Sequence, residues 1–169
     1  MNLSKLPKEL HPTGIAEEVK LQKCNPVFKA WKGPAGFSFG NKRFLDHKNQ
    51  PVFAEILILR LLEAAGWNGV WVEPFGGFKF LREMPKDTKL GGIEIPAMQN
   101  AFLQSLKKAV GKGGIFDVFA WRDDEFIFCE SKEKDKDKFQ KTQIRWIEAV
   151  VDLGIPRENL LIVEWSASL

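Results

Sequence analysis

The stretch Gly113-Gly-Ile-Phe-Asp117-Val-Phe-Ala-Trp-Arg122-Asp-Asp-Glu125-Phe-Ile-Phe-Cys-Glu130-Ser-Lys132 carries the pattern on which the fold turns. Residues 115–121 and 126–132 are rich in Ile, Val, Phe and Trp, which suit a pleated and buried surface. Asp123-Asp124 makes a short acidic turn between them. If those two residues are the turn, Arg122 faces Glu125 and Asp117 faces Glu130. Directly opposed side chains stand about 4.5–5.5 Å apart at Cβ, and the strand period of two returns Lys132 to the face of Glu130. Two facing carboxylates repel unless a cation lies between them. A divalent metal with Lys132 beside it is the economical resolution. With a turn centred elsewhere the two acids become diagonal neighbours, still able to share a metal.

The chain around this hairpin has 169 residues, enough for one domain with a real core. Its composition, 44% hydrophobic and 28% charged, is that of an ordinary globular protein and gives no ground for a fibrous or disordered reading. The N-terminus lacks the apolar run of a secretory signal. The most apolar segment, Val52 to Trp67, is too short and too charged to span a bilayer. Only Cys24, Cys129, His11 and His47 are available to a disulfide framework or a zinc site, and no CxxC spacing occurs. An intracellular protein without a membrane partner is expected.

Charge is unevenly spread. Residues 1–50 hold nine Lys/Arg against four Asp/Glu, a balance of +5, while the remainder stands at −2. Such a leading segment is compatible with a polyanionic partner, or with nothing more than a solvated surface. Prolines and glycines there argue against long elements, although Gly14 to Lys23 is read as a short helix. Lys29, Trp31, Lys32, Lys42 and Arg43 interleave basic and aromatic side chains that can neutralise phosphates and stack bases. The aromatics of this stretch could equally pin an extended arm to the core.

Pro51 to Ala65 reads as an apolar helix with proline in its first turn and Gly66 as its stop. Glu55 falls on or beside the buried stripe, where a carboxylate needs a partner such as Arg60 or a neighbour. Val70 to Phe75 reads as a strand broken by Gly76-Gly77, and Phe78 to Pro96 as irregular chain. Ala97 to Val110 reads as a helix. The glycines after it follow a helix and precede a strand, the reverse of a phosphate-binding loop. Glu133 to Lys138 reads as a solvated linker, with Asp137 as the cap of a helix that ends at Gly154. Gln143 lies on that helix's apolar face, where an unbonded amide is expensive. A last strand follows from Asn159 to Trp165. The order of elements is that of an α/β sandwich around a central mixed sheet.

With Glu55, Asp117, Glu130, Lys132 and Gln143 in view, the chain resembles the PD-(D/E)XK, or restriction-endonuclease-like, nuclease superfamily. Asp117 corresponds to its first acid and Glu130-Ser131-Lys132 to its (D/E)XK element. Phe116 stands where many members have proline. VRR-NUC-type and Holliday-junction-resolvase-like members are the most similar, with a Glu on the first helix, as Glu55, and a Gln after the third strand, as Gln143. The likeness covers roughly residues 51–165 apart from an insertion near 76–112. It implies a three-layer αβββαβ core over residues 51–169, with residues 1–50 a basic, aromatic extension packed on it.

The resemblance further implies Mg²⁺ or Mn²⁺ on Asp117, Glu130 and the Ser131 carbonyl, with Glu55 positioning a water or serving a second metal. Lys132 would act on the attacking water, and Gln143 would bond Lys132 or the phosphate. The N-terminal basic residues, with Lys134, Lys136 and Lys138, would make salt-dependent phosphate contacts. The expected activity is hydrolysis of phosphodiester bonds in structured or duplex DNA, in preference to RNA. A two-fold dimer would suit symmetric junctions, though no residue demands one. The rival readings are a non-catalytic nucleic-acid-binding module of the same fold, and an interaction subunit whose charges form only a salt-bridge network.

Overall fold

The structure, a computed structural model, describes residues 5–34, 36–74, 78–111 and 115–169. The expected Gly76-Gly77 break and the glycines before Ile115 lie outside the described residues, apart from Gly111. The chain opens with three short strands, Gly14–Ala16 (β1), Leu21–Cys24 (β2) and Val27–Lys29 (β3). The hairpin Leu45–His47 (β4) and Gln50–Val52 (β5) leads into helix Ala54–Ala64 (α1). Strands Asn68–Glu73 (β6) and Lys79–Leu81 (β7) precede helix Ala97–Val110 (α2). Val118–Arg122 (β8), Glu125–Glu133 (β9), helix Lys141–Asp152 (α3) and Leu160–Ser168 (β10) complete the order.

The hairpin takes the register implied by a turn at Asp123-Asp124: Val118 pairs with Cys129 and Arg122 with Glu125. Asp123 adopts a φ of 52°, a left-handed conformation that Asp tolerates better than most residues. Among the described residues, eight strands form one mixed sheet in the order β1-β2-β10-β9-β8-β6-β7, with β3 also paired to β10. Strands β6, β8 and β9 make an antiparallel meander, and α3 carries the chain over to β10, which runs parallel to β9.

Alternation along the central strands builds a core on each face. Val118 and Ala120 of β8, with Leu161 and Val163 of β10, pack with Ile56, Leu59 and Leu62 of α1. Phe119, Leu160 and Ile162 point the other way, to Leu103 and Leu106 of α2 and Trp146, Ile147 and Val150 of α3. Helix α1 lies so close to β6 that a Cβ at Gly69 would sit 2.9 Å from both Leu59 Cδ1 and the Phe119 carbonyl oxygen. A glycine there lets the first helix settle on the sheet. No helix is long and apolar enough to cross a membrane among the described residues.

Four local expectations change. Gly14 to Lys23 is a β-hairpin, not a helix: β2 supplies the parallel partner that β10 needs, and Lys20, at φ 55°, sits between its strands. Pro51 belongs to β5, so α1 starts at Ala54. Residues 79–81 within the expected irregular stretch pair with β6. Helix α3 is capped by Gln140 rather than Asp137, in a reciprocal capping box with Gln143. Asp137 instead accepts the Glu133 N–H at 2.8 Å.

Candidate active site

A cavity of about 330 Å³ opens where the ends of β8 and β9 meet α1 and the start of α3. Asp117, Glu130, Ser131, Lys132, Gln143 and Glu55 all line it. Local structure explains their convergence. Asp117 immediately precedes β8, and its carbonyl accepts the Val72 N–H at 2.7 Å, tying it to β6. Its Oδ2 accepts the Ser131 N–H at 2.8 Å, which ties it to β9 as well. Glu130 and Lys132 follow on β9 at strand period, 4% and 7% exposed.

Gln143 closes the cluster from α3. Its Nε2 donates to Glu130 Oε1 at 2.5 Å, and its Oε1 accepts Lys132 Nζ at 2.9 Å and the Gln140 N–H at 2.9 Å. The expensive buried amide is thereby satisfied, and the same residue caps its own helix. Lys132 Nζ also lies 3.0 Å from Glu130 Oε1 and 5.1 Å from the centre of the Phe139 ring. Its ammonium is thus held on three sides.

Glu55, the second residue of α1, is 4% exposed and binds the Lys42 ammonium through Oε1. Arg60, the partner considered from the sequence, is committed to Glu63 and Glu83. Lys42 and Arg43 belong to a loop whose tip, Gly40-Asn41, takes φ values of 60° and 57°. Arg43 turns to Glu133 at 3.1 Å, which also binds Lys136 at 2.8 Å. Trp165 Nε1 donates to Ser131 Oγ at 2.9 Å from β10.

The electrostatics follow from this crowding. Burial, then the charges of Glu130 and Glu55, push the Asp117 carboxyl well above the ordinary range, against the pull of Lys42 and the Ser131 N–H. Burial likewise raises Glu130, although Lys132 opposes the shift. Burial works against the charge of Lys42, but Glu55, Asp117 and Glu73 outweigh it and hold the ammonium above its usual range. Protein donors fall on Asp117 Oδ2 and Glu130 Oε1, and the other oxygen of each carboxylate has no protein donor among the described residues. Two acids kept from easy ionisation, each with an uncommitted oxygen, match the hard donor set of a divalent cation that retains several waters. Among the described residues no group of three His, Cys, Asp or Glu side chains forms a ready ligand cluster; the third nearby acid, Glu55, is already bonded to Lys42.

The basic residues expected to contact nucleic acid divide. Lys42, Arg43 and Lys136 line the cavity, whereas Lys29, Trp31, Lys32, Lys134 and Lys138 do not. Lys29 pairs with Asp46 at 2.6 Å, and Trp31 donates from Nε1 to the Pro34 carbonyl at 2.8 Å. Glu133 and Trp165 were not anticipated. Glu133 begins an alternating acid-lysine run in which nothing marks one acid as buried, and Trp165 reads simply as strand core. The chain matches no protein-family model, no curated protein and no solved structure.

Proposed function

We propose that this protein is a metal-dependent nuclease of the PD-(D/E)XK type, hydrolysing phosphodiester bonds in DNA in preference to RNA. The observation that carries the reading is the convergence of Asp117, Glu130, Lys132, Gln143 and Glu55 in one cavity, from β9, α3, α1 and the residue leading into β8. The order α1-β6-β8-β9-α3-β10, with its antiparallel meander and parallel return, supports the restriction-endonuclease-like form of the α/β sandwich.

Mg²⁺ or Mn²⁺ held by Asp117, Glu130 and the Ser131 carbonyl would polarise the phosphate and ease deprotonation of water. The protein's own side chains do the rest. Lys132 presents a fixed ammonium beside Glu130, placed to orient the attacking water and to offset charge accumulating on the phosphoryl oxygens. Gln143 fixes that ammonium and the Glu130 carboxylate together, so neither has to reorganise when substrate arrives. Arg43 and Lys136 border the cavity, where phosphates flanking the scissile bond can exchange with Glu133 as their partner. The deciding experiment offers plasmid, single-stranded, flap and four-way-junction DNA with Mg²⁺ or Mn²⁺. Cleavage by the wild type and its loss in Lys132→Ala support the reading. If no substrate is cut, or Lys132→Ala cuts as well as the wild type, the assignment fails.

A further inference from the structure

We propose that Lys42 is a built-in cation of the site, taking the place of a second metal beside Glu55 and so restricting the centre to one divalent ion. The inference rests on the metal-dependent reading above and concerns a residue outside the sheet and helices that carry the other site groups. Three acids, Glu55, Asp117 and Glu130, share one cavity, and one ion with two carboxylate ligands leaves the third acid unneutralised. The Lys42 ammonium is bonded directly to Glu55 Oε1. This is not a surface lysine that happened to reach inward. Lys42 N donates to the Phe39 carbonyl at 3.1 Å, closing the turn at Gly40-Asn41. Phe39 packs edge-on against Trp71 at 5.9 Å, and Phe44 lies tilted against Phe53 at 5.0 Å, so the loop is pinned on both sides of Lys42. The ammonium also stands 5.6 Å from the centre of the buried Trp71 ring, a cation–π placement that favours its charge.

A resident lysine differs from a second metal in two ways. It has no open coordination position to offer a leaving-group oxygen, and it cannot be removed by a chelator. Its neutralisation of Glu55 is therefore permanent, and Lys42 acts as a positioning residue for the acid cluster.

Calorimetric titration with Mn²⁺ alone, on the full chain, tests the assignment. The expected result is one ion per chain for the wild type and for Glu55→Gln, and two ions for Lys42→Met. Thermal melting adds a readout independent of stoichiometry. Lys42→Met should melt below the wild type in EDTA, and Mn²⁺ should raise it by more than it raises the wild type. Two ions in the wild type, or a Lys42→Met chain with the wild-type stoichiometry and the wild-type Mn²⁺ shift in melting, overturn the role of Lys42 while leaving the nuclease reading intact. A folded wild type and Lys42→Met that both take no Mn²⁺ overturn the metal reading and this inference with it.

Discussion

Replacing Asp117 by Asn should make the metal-free protein more stable while abolishing its response to metal. Asn is the same size, and its Oδ1 can still accept the Ser131 N–H that Asp117 Oδ2 accepts now. The change therefore isolates charge. Asp117 stands one residue ahead of β8, lines the same cavity as Glu130 and feels its charge; carboxylates on adjacent strands lie about 5 Å apart. At an effective dielectric constant of about 20, two unit charges at that separation repel by about 3 kcal/mol. Lys42 and Lys132 offset part of this, leaving about 1–2 kcal/mol of strain for Asn to relieve. For a chain of this size 1 kcal/mol shifts the midpoint by about 2–4 °C, so Tm in EDTA at about pH 8 should rise by about 2–8 °C. Mn²⁺ at about 100 times its Kd should stabilise the wild type by about 2.7 kcal/mol and the variant hardly at all. Differential scanning calorimetry with EDTA and with Mn²⁺ measures both effects. A lower Tm in EDTA, or an undiminished Mn²⁺ shift, would refute the idea that Asp117 is held as a strained acid awaiting a cation.

Lys132→Ala should lower kcat for DNA cleavage by about 10²–10³-fold, the span of a lost electrostatic stabiliser. Fluorescence anisotropy should show little change in its affinity for DNA. Gln143→Leu strips Glu130 and Lys132 of a shared partner and breaks the α3 capping box. It should cost about 1–3 kcal/mol, read as a drop of about 2–12 °C in the EDTA melt. The pH dependence follows from the raised carboxyls of Asp117 and Glu130. A folded-state pKa above the unfolded value contributes stability that is complete below the unfolded carboxylate value of about 4. That contribution is lost as pH rises through the raised folded values. The metal-free protein should therefore lose stability across that window, and the Mn²⁺-induced rise in Tm should grow with pH, because protons and metal compete for the same oxygens. A Mn²⁺ shift independent of pH would contradict shared occupancy.

The most legible part of the chain is the hairpin, because two apolar-rich runs flank a short acidic turn, and the turn at Asp123-Asp124 gives the register that the strands take. From that register the neighbourhood of Asp117, Glu130 and Lys132 could be read before any fold was known, and the three line one cavity; the ladder itself ends at Val118 and Cys129, one residue short of an Asp117–Glu130 pair. Gln143 and Glu55 were legible as polar anomalies on apolar helical faces. Their partners were not: Arg60, five residues on, falls off the helical face of Glu55 and pairs with Glu63 and Glu83, and Lys42, thirteen residues away on a loop, takes Glu55. Nothing local encodes that choice, since it depends on where Phe39 and Phe44 pin the loop. Gly14 to Lys23 misreads as a helix for a related reason. Its apolar residues are too few to set a period, and the deciding interaction is the pairing of β2 with β10, about 140 residues further on. Glu133 is buried because Arg43 and Lys136 close over it, and its acidic neighbours in sequence have the same composition.

The central claim is that Asp117 and Glu130 together hold a catalytic divalent ion. Anomalous diffraction from crystals soaked in Mn²⁺ tests it most directly. The expected result is one peak with oxygens of both carboxylates within about 2.0–2.6 Å. A peak bound elsewhere, or carboxylates too far apart to share one ion, would contradict it.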